Sequence, residues 1–140
     1  MRAVCVDASL ALAWVIPAEA GPRSRGLLET WLNEPVALLG PPLLYAEVVS
    51  VVRNKVHRRF LLPEEGDAAL ETFFSFGIAR REPAGLYQLA YRLATQFARH
   101  QAYDAQYVAL AQIEQCDLWT IDRALRTAYG RSLPWVRLLE

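Results

Sequence analysis

Short apolar runs recur along this chain between stretches of helical periodicity, and that alternation restricts the fold more than any other feature. Residues 3–6, 36–39 and 118–121 are apolar, partly β-branched and too short for buried helices, so they read as buried strands. Residues 78–80 and 135–138 read as further short strands. Between the strands, helix signals dominate. Ser9 is placed to cap a first helix with apolar residues from Leu10 to Ile16, and Pro17 is placed to stop it; Pro22 opens a second with Leu27, Leu28 and Trp31 on one face. Pro41-Pro42 starts a third, in which Tyr45, Val48, Val49, Val52 and Val56 form a core-facing stripe. Pro63 opens a fourth with Leu70, Phe73 and Phe74 on one face, which Gly77 can end. Leu86, Leu89, Ala90, Leu93 and Phe97 repeat the stripe, and residues 103–115 form a helix apolar on most faces, hence central. Asp122 can cap a last short helix closed by Gly130. Strands alternating with helices imply an α/β fold, with a central parallel sheet of four to five strands covered by helices on both faces.

The bulk properties narrow the function classes. One domain over residues 1–140 is expected, because 54% hydrophobic and 21% charged residues in a chain of this length describe a globular protein with one core. The 15 basic and 15 acidic residues cancel, which excludes the global positive field of a nucleic-acid coat protein. Affinity for nucleic acid must then come from local patches. Cys5 and Cys116 match no metal-binding spacing and read as buried, reduced, structural thiols. The start of the chain, with Arg2, an apolar run and Ala18-Glu19-Ala20, has the outline of a secretory signal, but Asp7 interrupts the run. No stretch reaches the roughly 18 uncharged apolar residues that span a bilayer, so a cytoplasmic protein without membrane association is expected.

The carboxylates carry the chemistry. Asp7 and Asp122 end apolar strands, Glu47 lies in the first turns of the third helix, and Asp104 begins the central one. All four are candidates for one sheet edge, beyond the carboxyl ends of the strands, where open α/β folds bind ligands. Of the five Asp residues, only Asp67 and Asp117 lie elsewhere. An Asp at a strand end or helix start also serves as an ordinary cap, and Asp104 is placed to cap its helix in that way. Four converging carboxylates differ from four caps, because they repel one another and need protons or cations for neutrality. An all-oxygen donor set suits Mg²⁺ or Mn²⁺.

The segments that carry these residues resemble a known family. Val6-Asp7-Ala8-Ser9-Leu10 with Trp14, Pro42-Leu43-Leu44-Tyr45-Ala46-Glu47-Val48, Tyr103-Asp104-Ala105 through Ala109-Leu110-Ala111, and Leu118-Trp119-Thr120-Ile121-Asp122 occur in the order found in PIN-domain ribonucleases, in particular VapC-like toxins of toxin–antitoxin pairs. The resemblance spans nearly the whole chain. It implies a PIN-like three-layer sandwich, with Asp7, Glu47, Asp104 and Asp122 as the catalytic and metal-binding quartet and Ser9 and Thr120 beside it. It also implies an RNA substrate, a cognate antitoxin that blocks the site, and a homodimer.

Metal-assisted hydrolysis of RNA phosphodiester bonds is the chemistry that follows. The densest basic run, Arg53, Lys55, His57, Arg58 and Arg59, is a candidate RNA contact, and its alternative is a solvated helix face. Arg80-Arg81, and Arg123 with Arg126, are smaller basic groups; His57 and His100 read as surface residues. Tyr103, beside Asp104, is placed to stack on a base or to pack in the core. Two other functions fit the acidic edge: a Mg²⁺-dependent phosphohydrolase, and a non-catalytic groove that docks a basic peptide. A phosphohydrolase usually has a second Asp soon after the first or a late Lys, whereas Ala8-Ser9 follows Asp7 and Lys55 is the only lysine.

Overall fold

Strands and helices alternate as the periodicity predicts in the computed structural model, which describes residues 2–16 and 21–139. The strands are β1 (Arg2–Val6), β2 (Val36–Gly40), β3 (Ala79–Arg80), β4 (Asp117–Thr120) and β5 (Val136–Leu138). The helices are α1 (Ala8–Val15), α2 (Pro22–Asn33), α3 (Pro42–His57), α4 (Pro63–Ser75), α5 (Leu86–Gln96), α6 (Tyr103–Glu114) and α7 (Arg123–Tyr129). All strand pairs are parallel, in the order β3-β2-β1-β4-β5. Right-handed crossovers then place α1 to α4 on one face and α5 to α7 on the other. The helix contacts agree, with α1 packing on α2, α3 and α4, and α5 on α6.

That order matters for the site. The chain moves outward from β1 through β2 to β3, then returns to the other side of β1 to lay down β4 and β5. The sheet therefore changes direction between β1 and β4, and a crevice opens beyond their carboxyl ends. Register aligns the two strands, with Cys5 opposite Leu118 and Val6 opposite Trp119, and Asp7 N–H donates to the Trp119 carbonyl at 3.3 Å. A one-residue slip would reverse every side chain on β1, and the complete burial of Val4, Cys5 and Val6 between helical layers opposes it.

Two helices are buried on nearly all sides. In α6, Ala105 and residues 107–111 are buried, and the alanines let it approach β1 and β4 closely. In α1, Ala8 and residues 10–15 are buried, and Trp14 Nε1 donates to the Ser24 carbonyl at 2.8 Å, tying α1 to α2. Gly40 is required where β2 turns into α3, because a Cβ there would collide with the Leu44 side chain. That tight turn brings Glu47 to the strand ends.

Several sequence expectations are corrected by the packing. Asp7, not Ser9, caps α1, because the helix begins at Ala8, two residues earlier than a Ser9 cap would allow. Pro17 and Ala18-Glu19-Ala20 lie outside the described residues, and α1 itself ends at Val15. The core stripe of α3 is Leu44, Val48 and Val52, while Val49 is 41% exposed, since the helix is rotated toward α1 and α4. On α4 only Phe73 of the two adjacent phenylalanines enters the core; Phe74 is 58% exposed and packs edge-on against it, with centroids 5.1 Å apart. Cys116 is partly exposed instead of buried, because it precedes β4 at the rim of the sheet.

Candidate active site

Asp7 is a buried carboxylate with three hydrogen-bond donors around it. It follows β1, caps α1 and is only 4% exposed. Its Oδ1 accepts hydrogen bonds from Ser9 Oγ at 2.7 Å and Leu10 N–H at 3.0 Å, and its Oδ2 accepts one from Thr120 Oγ1 at 2.5 Å. Three of about four carboxylate lone-pair positions are thus occupied, leaving capacity on Oδ2. Burial pushes its pKa up to about 6; the three hydrogen bonds oppose that, and the charge of Asp122 adds to it.

Ser9 and Thr120 bind this carboxylate to the other strand end. Ser9 Oγ accepts from Ile121 N–H at 3.2 Å, and Thr120 Oγ1 accepts from Asp122 N–H at 2.9 Å while donating to Asp7. The two hydroxyls lie 3.2 Å apart. Each joins Asp7 to the turn after β4. Asp122 in turn caps α7, its Oδ1 accepting from Ala124 N–H at 2.8 Å and Leu125 N–H at 3.3 Å.

The remaining two carboxylates arrive from the helices. Glu47, half-buried on α3, accepts a 2.6 Å hydrogen bond from the Tyr107 hydroxyl of α6. Burial raises its pKa, the Tyr107 bond opposes this, and the Asp104 charge adds to it. Asp104 lies in the first turn of α6, but Ala102 holds the cap position and no side chain bonds there, so the expectation that Asp104 caps its helix is not met. Burial raises its pKa, Asp122 raises it further, and Arg99 opposes both. The charges therefore link in series, Glu47 to Asp104, Asp104 to Asp122 and Asp122 to Asp7.

This edge is acidic and partly desolvated, and its repulsion is what a bound cation would relieve. Among the described residues, no group of three His, Cys, Asp or Glu side chains is disposed to hold a metal ion by itself. Mg²⁺ keeps several waters and takes one or two carboxylates directly, so it does not require three protein ligands. An additional polar atom faces the same region: the Tyr129 hydroxyl is fully buried, has no hydrogen-bond partner among the described residues, and lies within electrostatic reach of Asp104 and Arg99. The donor chemistry fits a hard divalent cation.

Other sequence candidates lie elsewhere. Asp67 is exposed on α4, and Asp117 starts β4 at the opposite edge, where Arg137 Nε binds it at 2.8 Å. Exposed Arg53 and half-buried Lys55 lie roughly 9–12 Å along the α3 axis from Glu47, and exposed Arg58 and Arg59 follow the end of that helix. Lys55 and Arg58 stand over the Phe60 ring, at 5.8 and 5.0 Å from its centroid. His57 and His100 are exposed, and so is Tyr103, which begins α6 next to Asp104 and does not pack in the core. Two residues near the acidic edge escape sequence reasoning. Tyr107 has the spacing of a core residue, and only its position one turn after Asp104 hints at more; Arg99 is a cation beside Asp104 that no motif marks.

Comparison with known proteins places these features in context. No protein-family model matches the chain. A VapC ribonuclease of Mycobacterium bovis and ribonuclease VapC9 of Mycobacterium tuberculosis are each 31% identical to it over 122 residues, 87% of this chain and 87% of theirs. VapBC2 from Rickettsia felis, solved bound to a DNA fragment from its promoter, has the same fold, with a TM-score of 0.72 at 13% identity over 99% of this chain and 98% of that one. VapC20 of Mycobacterium tuberculosis, a sarcin-ricin loop cleaving toxin, superposes with a TM-score of 0.61 at 17% identity over 90% of this chain and 95% of its own.

Proposed function

This chain belongs to the VapC family of PIN-domain ribonucleases, and from that premise we propose that it is a divalent-metal-dependent endoribonuclease, the toxin of a toxin–antitoxin pair. The observation that carries the reading is the charge-linked series Asp7, Asp122, Asp104, Glu47 at the carboxyl edge of the sheet, with Asp7 buried and its pKa pushed up to about 6. Isolated caps would have no such coupling.

In this reading the four carboxylates hold Mg²⁺, with Mn²⁺ as a substitute, directly or through water. Bound there, the cation supplies Lewis acidity at a phosphate oxygen and a water of lowered pKa. The protein supplies position. Ser9 and Thr120 fix the orientation of Asp7 at the end of β1 and leave one acceptor position on Oδ2 unused. Tyr107 fixes Glu47 from the opposite helical layer. Glu47 and Asp104, half-buried and raised by burial and a neighbouring carboxylate, are suited to take a proton from the attacking water. Arg99 offsets the negative edge where a phosphate must approach. The RNA then lies across the crevice near Arg99, and only a strand extending along α3 would also meet Arg53, Lys55, Arg58 and Arg59.

The VapBC2 structure supports a cognate antitoxin as the protein partner; a homodimer is what the sequence resemblance implies. Cytoplasmic action on RNA follows from the same reading; among the described residues no helix is long and apolar enough to cross a membrane. The decisive experiment incubates purified protein with total RNA, with Mg²⁺ or with EDTA, and maps the new ends. Cleavage with Mg²⁺ that EDTA abolishes is expected. Intact RNA in both arms, from a protein that still binds Mg²⁺, would refute the nuclease reading in favour of an acidic docking groove.

A further inference from the structure

Cys5 and Cys116, the only cysteines of the chain, stand 111 residues apart in sequence, yet their sulfurs lie 3.6 Å apart. Both are free thiols. The fold produces this contact through strand register: Cys5 on β1 faces Leu118 on β4, so Cys116, two residues earlier, is the diagonal neighbour on the same face. The pair is asymmetric. Cys5 is fully buried, whereas Cys116 lines an open cleft of about 330 Å³ with Gln112, Gln115, Asp117 and Trp135. Its backbone N–H is held by the Ala111 carbonyl at 3.0 Å, so the residue is anchored with its sulfur between the cleft and the core.

We propose that Cys5 and Cys116 form a reversible redox site in which hydrogen peroxide entering the cleft converts the thiol pair into a disulfide that bridges β1 to the residue before β4. Cys116 is the attacking group, because it alone meets solvent. Its thiolate attacks the peroxide, an S–O bond forms as the O–O bond breaks, and the departing hydroxide takes a proton to leave as water, giving a sulfenic acid. The Cys5 sulfur then attacks the Cys116 sulfur. An S–S bond forms, the S–O bond breaks, and the hydroxide leaves with the Cys5 proton as a second water. Two thiols are oxidised by two electrons and one peroxide is reduced to two waters. A dithiol reductant returns the pair by exchange at the exposed Cys116 sulfur. Closing from 3.6 Å to the roughly 2.05 Å of a disulfide needs about 1.5 Å of movement, within reach of side-chain rotation and a small strand adjustment.

The geometry agrees with the electrostatics. Either sulfur can donate in this contact. With Cys5 as the donor, the Cys116 thiol is drawn below its usual pKa against the opposing effect of its partial burial, which favours Cys116 as the nucleophile, while the contact with Cys116 and burial hold the Cys5 thiol above its own. A thiol pair of this kind in a reducing compartment is more often a transient redox site than a permanent staple.

The test uses the reduced full-length protein treated with hydrogen peroxide, then denatured and alkylated. Mass spectrometry should show loss of two hydrogens, a peptide containing Cys5 linked to one containing Cys116, no alkylated cysteine, and full reversal by dithiothreitol. In Cys5→Ser, Cys116 should accumulate as a sulfenic acid that dimedone traps. Three results would overturn the proposal: Cys116 gaining oxygen in the wild type while Cys5 stays alkylatable, both thiols surviving peroxide, or the linkage joining two copies of the chain on a non-reducing gel. Because the readout is covalent, it is independent of RNA cleavage.

Discussion

Replacing Asp7 by Asn tests whether the acidic edge stores repulsion that metal must offset. Asp7 is almost fully buried, and its pKa of about 6 in the folded protein, against 3.8 for a free aspartate, means that ionisation opposes folding. The difference corresponds to about 3 kcal/mol at neutral pH. Asn keeps most of the network. Its oxygen can accept from Leu10 N–H and Ser9, and its amide can donate to Thr120, whose own proton turns toward Ser9 at 3.2 Å. Neutral hydrogen bonds replace charged ones, at a cost of roughly 1 kcal/mol or more in total. Asp7→Asn in EDTA at pH 7.5 should therefore be more stable than wild type by about 1–2 kcal/mol, a rise of roughly 3–6 °C in Tm. The sign with pH follows from linkage. A raised carboxylate pKa contributes stability that is fully present below 3.8 and is lost as pH rises through about 6, so the advantage of the variant should shrink between pH 7.5 and pH 5. Added Mg²⁺ should reverse the ranking, because wild type gains about 2.7 kcal/mol at 100 times its Kd and the variant gains less. Circular dichroism melts at the two pH values, with EDTA and with Mg²⁺, measure all three effects. A variant destabilised by more than about 1 kcal/mol in EDTA at pH 7.5, or a difference indifferent to pH, would mean that Asp7 is a helix cap and nothing more.

Other perturbations probe the rest of the site. Asp104→Asn should abolish RNA cleavage yet melt in EDTA no lower than wild type, since Asp104 does not occupy the cap position; a loss of several kcal/mol would refute that placement. Tyr107→Phe removes the hydrogen bond that holds Glu47, so kcat/KM should fall about 10-fold for a bond of about 1.5 kcal/mol, and the acidic limb of the pH profile should move upward; rescue of neither by raising pH, with an unchanged profile, would show a purely packing role. Arg99→Ala should reduce the salt dependence of RNA binding by about 0.7 in log–log slope, whereas Arg58→Ala with Arg59→Ala should leave cleavage of a short oligonucleotide unchanged; the reverse pattern would relocate the RNA path along α3.

Local signals along the chain determined the class of fold. Apolar runs ending in Asp7 and Asp122, the prolines that open α2, α3 and α4, and the all-round apolar α6 are each legible within a few residues, because strand and helix periodicity and capping are short-range. The four carboxylates were legible for the same reason, as residue types at or near element boundaries, whereas their grouping as one metal site came from the family resemblance. What local signals could not decide was which boundary residue performs which task. Asp7 and Ser9 are equally good caps by composition, and Asp7 holds the cap because β1 pairing with β4 sets where the strand stops. Val49 fits the stripe of α3, but the helix rotation that buries Leu44, Val48 and Val52 depends on α1 and α4. Tyr107 on Glu47, Arg99 beside Asp104 and Cys5 against Cys116 join residues from 5 to 111 positions apart, and the Arg53–Arg59 run is carried away from the acidic edge by the direction of α3. These juxtapositions follow from strand order and register, which are chosen cooperatively by burying both faces of the sheet at once, and no single segment of the chain contains that information.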